Sequence, residues 1–303
     1  MREGRGDIIS SQKRAKDFLS CIAIRNQLSL DEIPSKYELV GDVLMIPESA
    51  LQASGWQRED LHIWAHLAAC FGLKRVARKA KVDAGAMRQS RVVMLWPPGA
   101  DTWVKVVENG ISFNFDITRI MFCSGNCTER MRASRFPVAG ETIVDLYCGI
   151  GYYTLPFLVY GNAAMVHACE LNPDSVAALR RNLDEAKIEA SRYTIHLGDN
   201  RESIGRLSDV ADRVSLGLLP SSEEGWKLAV QALKTSGGML HVHENVHEKL
   251  LTSGEWIDYC LRKFRDLFIA HEKNLVPKCL HIERVKSYAP RIYHIVADIQ
   301  CVA

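Results

Sequence analysis

The chain has 303 residues, 47% of them hydrophobic and 24% charged, which is room for two globular domains and excludes wholesale disorder or a small disulfide scaffold. Its 38 basic and 36 acidic side chains leave a formal charge of +2, too near neutral to mark a nucleic-acid binder by the total alone. Nine widely spaced cysteines with no Cys-x-x-Cys pair suit reduced thiols in the cytoplasm better than a disulfide framework or a zinc knuckle. The N-terminus lacks the apolar core of a secretory signal. Residues 146–169 carry no Asp, Glu, Lys or Arg, but Gly149, Gly151, Pro156, Gly161, Asn162 and His167 break any continuous apolar helix, so no membrane span is expected.

In chain order, residues 1–33 mix six basic with five acidic side chains and read as a lead-in, helical or poorly ordered. A small α+β domain is expected over 34–117. Residues 36–47 give strand, Gly41-Asp42 turn and strand, and 58–73 a helix with Leu61, Trp64, Ala65, Ala68 and Phe71 on one face and Gly72 at its end. After a basic stretch, 91–96, 102–107 and 111–115 read as strands, with Pro97-Pro98-Gly99 and Glu108-Asn109-Gly110 as turns. Over 118–303 strand and helix alternate. Strands are expected at 142–147, 165–170, 193–199, 213–219 and 237–244, and helices after Gly151, at 174–187, at 222–234 capped by Ser222, and at 256–268. Two strands around Ala289-Pro290 close the chain. This order predicts an α/β domain with a parallel sheet, helices on both faces and a terminal antiparallel hairpin.

The first strand-to-helix turn reads Asp145-Leu-Tyr-Cys-Gly149-Ile-Gly151, where glycines let the backbone approach a ligand. Thr154 stands where the dinucleotide fingerprint has its third glycine, which lowers the NAD reading. Glu170 ends the second strand, placed to accept two ribose hydroxyls, and Asp199-Asn200 follow the third, placed to meet an adenine edge. Each has a plainer reading, Glu170 as a helix-start residue and Asp199-Asn200 as an ordinary turn. Together, in order at three successive strand ends, they point to S-adenosylmethionine.

The strings FDITRIMFCSGNCTERMR (115–132), DLYCGIGYYTLPF (145–157), CELNP (169–173), GDNR (198–201), LGLLPSSEEGW (216–226), KSYAP (286–290) and HIVADI (294–299) occur together. With YELVGDVLMIP (37–47), the chain resembles over 34–303 the superfamily of tRNA guanine-37 N1-methyltransferases and eukaryotic wybutosine-synthesising transferases. LGLLPSSEEGW favours the second branch. The resemblance implies a class I S-adenosylmethionine-dependent, Rossmann-like catalytic domain that transfers a 3-amino-3-carboxypropyl group to the wybutosine precursor base of tRNA-Phe and releases methylthioadenosine. It also implies cofactor contacts from Asp145, Gly149, Gly151, Glu170, Asp199 and Asn200, and a hydroxyl and a basic residue from the preceding loop. The basic position falls on Arg130, where Lys is common, and the hydroxyl position on Cys123, a poor partner, with Ser124 beside it. Read without the family, Arg130 is a solvent-facing residue paired with Glu129 or Glu141. The methyltransferase branch has an Asn-Pro-type motif after the fourth strand; residues 217–221 lack the Asn, so Pro220 and Ser221 are expected to line a pocket for a bulky base, or simply to start the next helix. The alternatives are guanine-37 N1-methylation and a non-catalytic RNA-binding member of the fold. No residue is singled out as catalytic.

His241-x-His243-x-x-x-His247 invites a metal, but no acidic or cysteine partner stands at a ligand spacing, so these are expected to be strand-end histidines near the cleft and no metal is expected. Basic residues concentrate in 74–91, 119–135 and 278–291, at net +6, +3 and +3, either a solvated face or an RNA-phosphate track. Tyr152, Tyr153 and Trp226 are candidates to stack on a base, with core packing the plainer role.

Overall fold

The structure, a computed structural model, describes residues 5–57, 60–80, 85, 87, 89–203 and 207–303. The chain divides into two compact units, 1–107 with 114–122, and 108–113 with 123–303.

The first unit begins with α1 (Arg5–Asn26), continues through β1 (Glu38–Val40), β2 (Val43–Ile46), α2 (Ser54–Gln57), α3 (Asp60–Cys70), β3 (Arg75–Arg78) and β4 (Val93–Trp96), and takes in most of a hairpin, β5 (Trp103–Glu108) and β6 (Ile111–Asp116). Strands β1 to β4 form one sheet in chain order, antiparallel except for the parallel β2–β3 pair. The residues read as a lead-in belong to this core. Ala15, Leu19 and Ala23 recur every four residues, so they form one stripe of α1, and all three are fully buried. Phe18 stacks on His66 of α3 with centroids 4.2 Å apart. Strand β3 lies where only a basic stretch was read. Its arginines pair away from it, Arg75 with Asp42 and Arg78 with the carbonyls of Ala50 and Leu51, while Val76 and Ala77 are buried.

The second unit carries α4 (Cys127–Ala133), β7 (Thr142–Asp145), α5 (Thr154–Val159), β8 (Met165–Glu170), α6 (Pro173–Glu185), β9 (Tyr193–Leu197), α7 (Asn200–Ser203), β10 (Arg213–Leu216), α8 (Trp226–Ala232), β11 (Gly238–His247), α9 (Glu248–Ser253), α10 (Glu255–Ala270), β12 (Val276–Ala289) and β13 (Ile292–Val302). The sheet order is β12-β13-β11-β10-β7-β8-β9, with β9 to β11 parallel across the sheet and β13 and β12 antiparallel at the edge. The five parallel strands with helical crossovers and the closing hairpin are the architecture expected of a class I transferase sheet. The chain runs outward from β7 to β9 and then returns to the other side of β7 as β10. That reversal opens a crevice at the carboxyl ends of β7 and β10, where sheets of this kind bind ligands.

One face of the sheet packs Leu240, Val242, Ile295, Ala297 and Ile299 against Trp226, Phe264 and Phe268 of α8 and α10. Trp226 is buried, stacked on Phe264 at 4.8 Å, so it is a core residue and is not available to a base. Among the described residues, no helix is long and apolar enough to cross a membrane. The uncharged stretch 146–169 is spent on the β7–α5 turn, α5 and β8.

Candidate functional site

The turn after β7 is built to admit a ligand close to the backbone. Gly149 has φ +56° and Gly151 φ +98°, a region costly for any side chain. A Cβ on Gly149 would stand 3.1 Å from the Tyr152 ring, and one on Gly151 2.8 Å from Leu179. Asp145 is fully buried behind the turn and accepts a hydrogen bond from Thr154 Oγ1 at 2.8 Å. Burial pushes its carboxyl up to about 6, against the Thr154 bond. Thr154, the residue that departs from the dinucleotide fingerprint, therefore serves Asp145.

Glu170 reaches from the end of β8 into this turn. Its Oε2 accepts the Gly149 N–H and its Oε1 the Asn172 N–H, both at 2.8 Å. Burial raises the carboxyl, and these backbone donors oppose the shift. A carboxylate has about four acceptor positions, so each oxygen keeps one for a ligand hydroxyl. Glu170 is not the cap of α6; Asn172 is, accepting the Asp174 N–H at 2.9 Å. After β9, Asn200 donates to the Leu146 carbonyl at 3.0 Å and so faces the same turn. Asp199 is gripped by the Arg201 side chain, whose hydrogen bonds hold its carboxyl below the usual range. The glycine cradle, the Glu170 acceptors and Asn200 fit an adenosine with free ribose hydroxyls.

Arg130 is buried and not solvent-facing. Its partner is Glu108 (Nε at 2.7 Å, Nη2 at 2.5 Å), not Glu129 or Glu141. It also donates to the Cys123 carbonyl at 3.1 Å, and its guanidinium lies over the Tyr152 ring at 5.2 Å. Cys123 Sγ accepts from Lys286 Nζ at 2.9 Å. Ser124 falls in the turn between Cys123 and α4; its side chain lies outside the described residues.

Helix α4, which carries Arg130, is fastened to the sheet by a chain of buried and half-buried charges. Arg132 grips Glu129 and Asp298, at 2.8 and 2.5 Å. Asp298 contacts His241 Nδ1 at 2.6 Å, and Arg213 holds His241 Nε2 at 2.7 Å and Glu141 at 2.7 Å. Because arginine only donates, His241 Nε2 accepts, and its proton sits on Nδ1, directed at Asp298. Burial lowers the His241 pKa and keeps the ring neutral. Phe136 stacks flat on this imidazole, with centroids 4.6 Å apart. His243 pairs with His294, and His247 accepts the Lys249 N–H at the start of α9, so the three histidines serve three separate ends.

The loop after β10 is tied to β11. Pro220 O accepts the Asn245 N–H at 2.8 Å, and Glu244 accepts from Ser221 Oγ at 3.1 Å and Ser222 N at 3.3 Å. Ser222 does not cap the following helix with its side chain, as was expected; its hydroxyl accepts Trp226 Nε1 at 3.1 Å. Burial pushes the Glu244 carboxyl up to about 7, against the Ser221 and Ser222 bonds. An acid raised in the fold contributes fully below its unfolded value of about 4.3, and that stability is lost as pH rises toward 7. Glu244→Gln is therefore expected to raise the melting temperature at about pH 8 and to leave it near wild type at about pH 4. Thermal melts at both pH values check this, and an equal shift at the two contradicts it. A cavity of about 720 Å³ beside α8 and α10 borders Glu244, Trp256 and Tyr259, and no residue of the Asp145–Gly151 turn lines it.

The basic windows are partly consumed by ion pairs. Arg75, Lys79, Arg119, Arg130, Arg132 and Arg284 have carboxylate partners, while Lys74, Arg91, Arg135, Lys278 and Arg291 are exposed. Lys81, Asp83 and Arg88 lie outside the described residues. Sequence reasoning missed Glu108, Lys286, His294 and Glu244. The alternation His241-x-His243 is the one sequence signal for the shared face, and it reads only as far as strand-end histidines near the cleft.

Residues 104–276 match the model of the TRM5/TYW2 methyltransferase domain, and residues 22–102 that of the TYW2 N-terminal domain. Among curated relatives, a tRNA wybutosine-synthesizing protein 2 homolog of Bos taurus is 38% identical, over 89% of this chain and 71% of its own. One from Danio rerio is 40% identical over 89% and 72%. Among solved structures, P. horikoshii TYW2 in complex with MeSAdo is 28% identical with a TM-score of 0.72, covering 96% of this chain and 99% of that one.

Proposed function

The chain belongs to the TRM5/TYW2 family, and we propose on that footing that it moves the 3-amino-3-carboxypropyl group of S-adenosylmethionine onto the wybutosine precursor base beside the anticodon of tRNA-Phe, leaving methylthioadenosine. The branch follows from residues 22–102, which match the N-terminal domain of the transferase side of the family. The loop after β10, Gly217-Leu-Leu-Pro-Ser221, agrees with it, since it offers no Asn to a guanine.

Bound S-adenosylmethionine supplies a sulfonium that activates its neighbouring carbons and leaves as a neutral thioether. The protein's task is then to orient donor and acceptor in line. Glu170 takes the ribose hydroxyls, Gly149 and Gly151 admit the nucleoside against the backbone, and Asn200 with Asp199 meets the adenine edge. Arg130, with Cys123 and Ser124, faces the methionine carboxylate, which competes with Glu108 for the guanidinium. Pro220 and Ser221 wall the base. We read 34–117 as an accessory domain and 118–303 as the catalytic one, working in the cytoplasm, where nine free cysteines stay reduced. The exposed basic residues of both segments track the tRNA phosphates.

Incubation with S-adenosylmethionine and precursor-bearing tRNA-Phe, followed by mass spectrometry of the nucleosides, tests the reading. An aminocarboxypropyl nucleoside is expected. A methylated guanosine transfers the chain to the methyltransferase side, and tRNA binding without any product assigns it a non-catalytic role.

A further inference from the structure

The loop after β10, residues 217–222, begins against the glycine turn. A Cβ on Gly217 would stand 3.3 Å from the buried ring of Tyr153 and 3.9 Å from the Tyr147 carbonyl. At its far end the loop is held from β11. Glu244 Oε2 accepts Ser221 Oγ at 3.1 Å and the Ser222 N–H at 3.3 Å, and an isolated bridge pairs Ser221 with Glu244. Ser221 Oγ in turn accepts the Glu223 N–H at 3.2 Å, so the carboxylate fixes the hydroxyl and the hydroxyl fixes the next turn. One side chain of β11 thus sets where the loop stands relative to the donor turn.

A carboxylate is not the most stable group for this tie. Burial and the like charge of Glu223 both raise it, and only the two bonds from the loop oppose them. The cavity of about 720 Å³ that Glu244 borders keeps its carboxyl open to protons. Glu223, His247, Glu255, Asp258, Tyr259 and Arg262 line the same cavity, and β13 adds Ile292. Burial pushes the nearby Cys260 thiol up, so it stays neutral. An amide would accept the same two hydrogen bonds without a charge to bury. An ionisable group kept against stability, next to a loop on the donor turn, marks a functional position.

We propose that Glu244 is a positioning residue for the acceptor: by gripping Ser221 and Ser222 it fixes the 217–222 loop against the glycine turn, and so places the wall of the base pocket relative to the donor. This rests on the function proposed above. Ionised, Glu244 serves the loop through charge-assisted bonds; protonated, it keeps only a neutral, weaker acceptor. With the carboxyl raised to about 7, its ionised fraction falls from about nine-tenths at pH 8 to about one-tenth at pH 6. The loop is therefore set at pH 8 and released at pH 6, and binding of the acceptor must then restore it.

Steady-state kinetics with precursor tRNA-Phe between pH 6 and pH 8 test this, on wild type, Glu244→Gln and Glu244→Leu, with S-adenosylmethionine affinity by calorimetry alongside. For wild type the KM for tRNA is expected to rise about tenfold from pH 8 to pH 6, with kcat and donor affinity unchanged. Glu244→Gln keeps an oxygen acceptor that does not titrate, so its KM should be level across the range and lie between the wild-type extremes. Glu244→Leu offers no acceptor, and its KM should be raised about tenfold or more at both ends. A pH dependence that persists in Glu244→Gln belongs to another group, such as His247, and overturns the proposal. So does a donor affinity that falls in step with turnover, or a wild-type KM in Glu244→Leu. Where Glu244→Leu fails to fold, the profile of Glu244→Gln decides. If wild type itself yields no aminocarboxypropyl nucleoside, the function fails first and this role with it.

Discussion

Glu170→Ala should weaken S-adenosylmethionine binding by more than about 100-fold, about 3 kcal/mol or more. A hydrogen bond to a charged acceptor contributes about 1.5–3 kcal/mol, and the proposed ribose contacts lose two of them. The substitution also strips the acceptor from the Gly149 and Asn172 N–H groups, both at 2.8 Å, so the glycine turn loses what fixes it. These two effects separate experimentally. Glu170→Gln keeps one oxygen acceptor and should fall between wild type and Ala in affinity. Calorimetric titration gives the affinities, and a thermal melt shows whether the fold survives. Unchanged affinity in the Ala variant would remove Glu170 from the site.

Breaking the charge chain behind α4 should give the largest loss of stability, about 3–5 kcal/mol for Asp298→Ala. The reason is what stays behind. Arg132 is left with Glu129 alone, and the His241 Nδ1–H, directed by Arg213, loses its acceptor at 2.6 Å. Burial alone would raise the Asp298 carboxyl, but the hydrogen bonds from His241 and Arg132 hold it well below the ordinary carboxylate range. The sign of the pH dependence follows. For a depressed carboxyl the stabilisation is complete above its unfolded value of about 3.9, and is lost as pH falls toward the folded one. The gap between wild type and Asp298→Asn should therefore be constant from about pH 5 to 7 and close in stronger acid. Urea unfolding from about pH 7 down to about pH 3 measures it; a gap that widens in acid would contradict the assigned ion pairs. Helix α4 carries Arg130, so the same substitution loosens one wall of the donor site.

Much of the second unit was legible because its strands are buried on both faces. Residues 142–145 and 165–170 are short, mainly apolar segments closed by turn residues, and 213–216, though it reads Arg-Val-Ser-Leu, is buried throughout. Strand β3 was hidden for the opposite reason. Its flanking arginines read as a basic loop until Asp42 and the Ala50 and Leu51 carbonyls, distant in sequence, take up their hydrogen-bonding groups. Helix α1 was obscure because two of its three buried contacts are alanines, which carry little hydrophobic signal.

The site divides in the same way. Gly149, Gly151 and Glu170 stand at strand ends, where local pattern places them. Arg130 was found, but its partner Glu108 lies on the hairpin tip, and local pairing with Glu129 or Glu141 was the only alternative a sequence offers. Arg132–Asp298 and Cys123–Lys286 span most of the domain, and only the sheet order brings them together. The near-neutral total charge hid the basic segments, and the ion pairs in turn withdraw part of those segments from any RNA.

On this reading the chain delivers the propyl arm of the donor and not its methyl. S-adenosylmethionine carrying one isotope in the carboxyl carbon and another in the methyl group, incubated with precursor tRNA-Phe, distinguishes the two transfers. Carboxyl label is expected on the RNA and methyl label in the released thioether nucleoside. Methyl label on the RNA would contradict it.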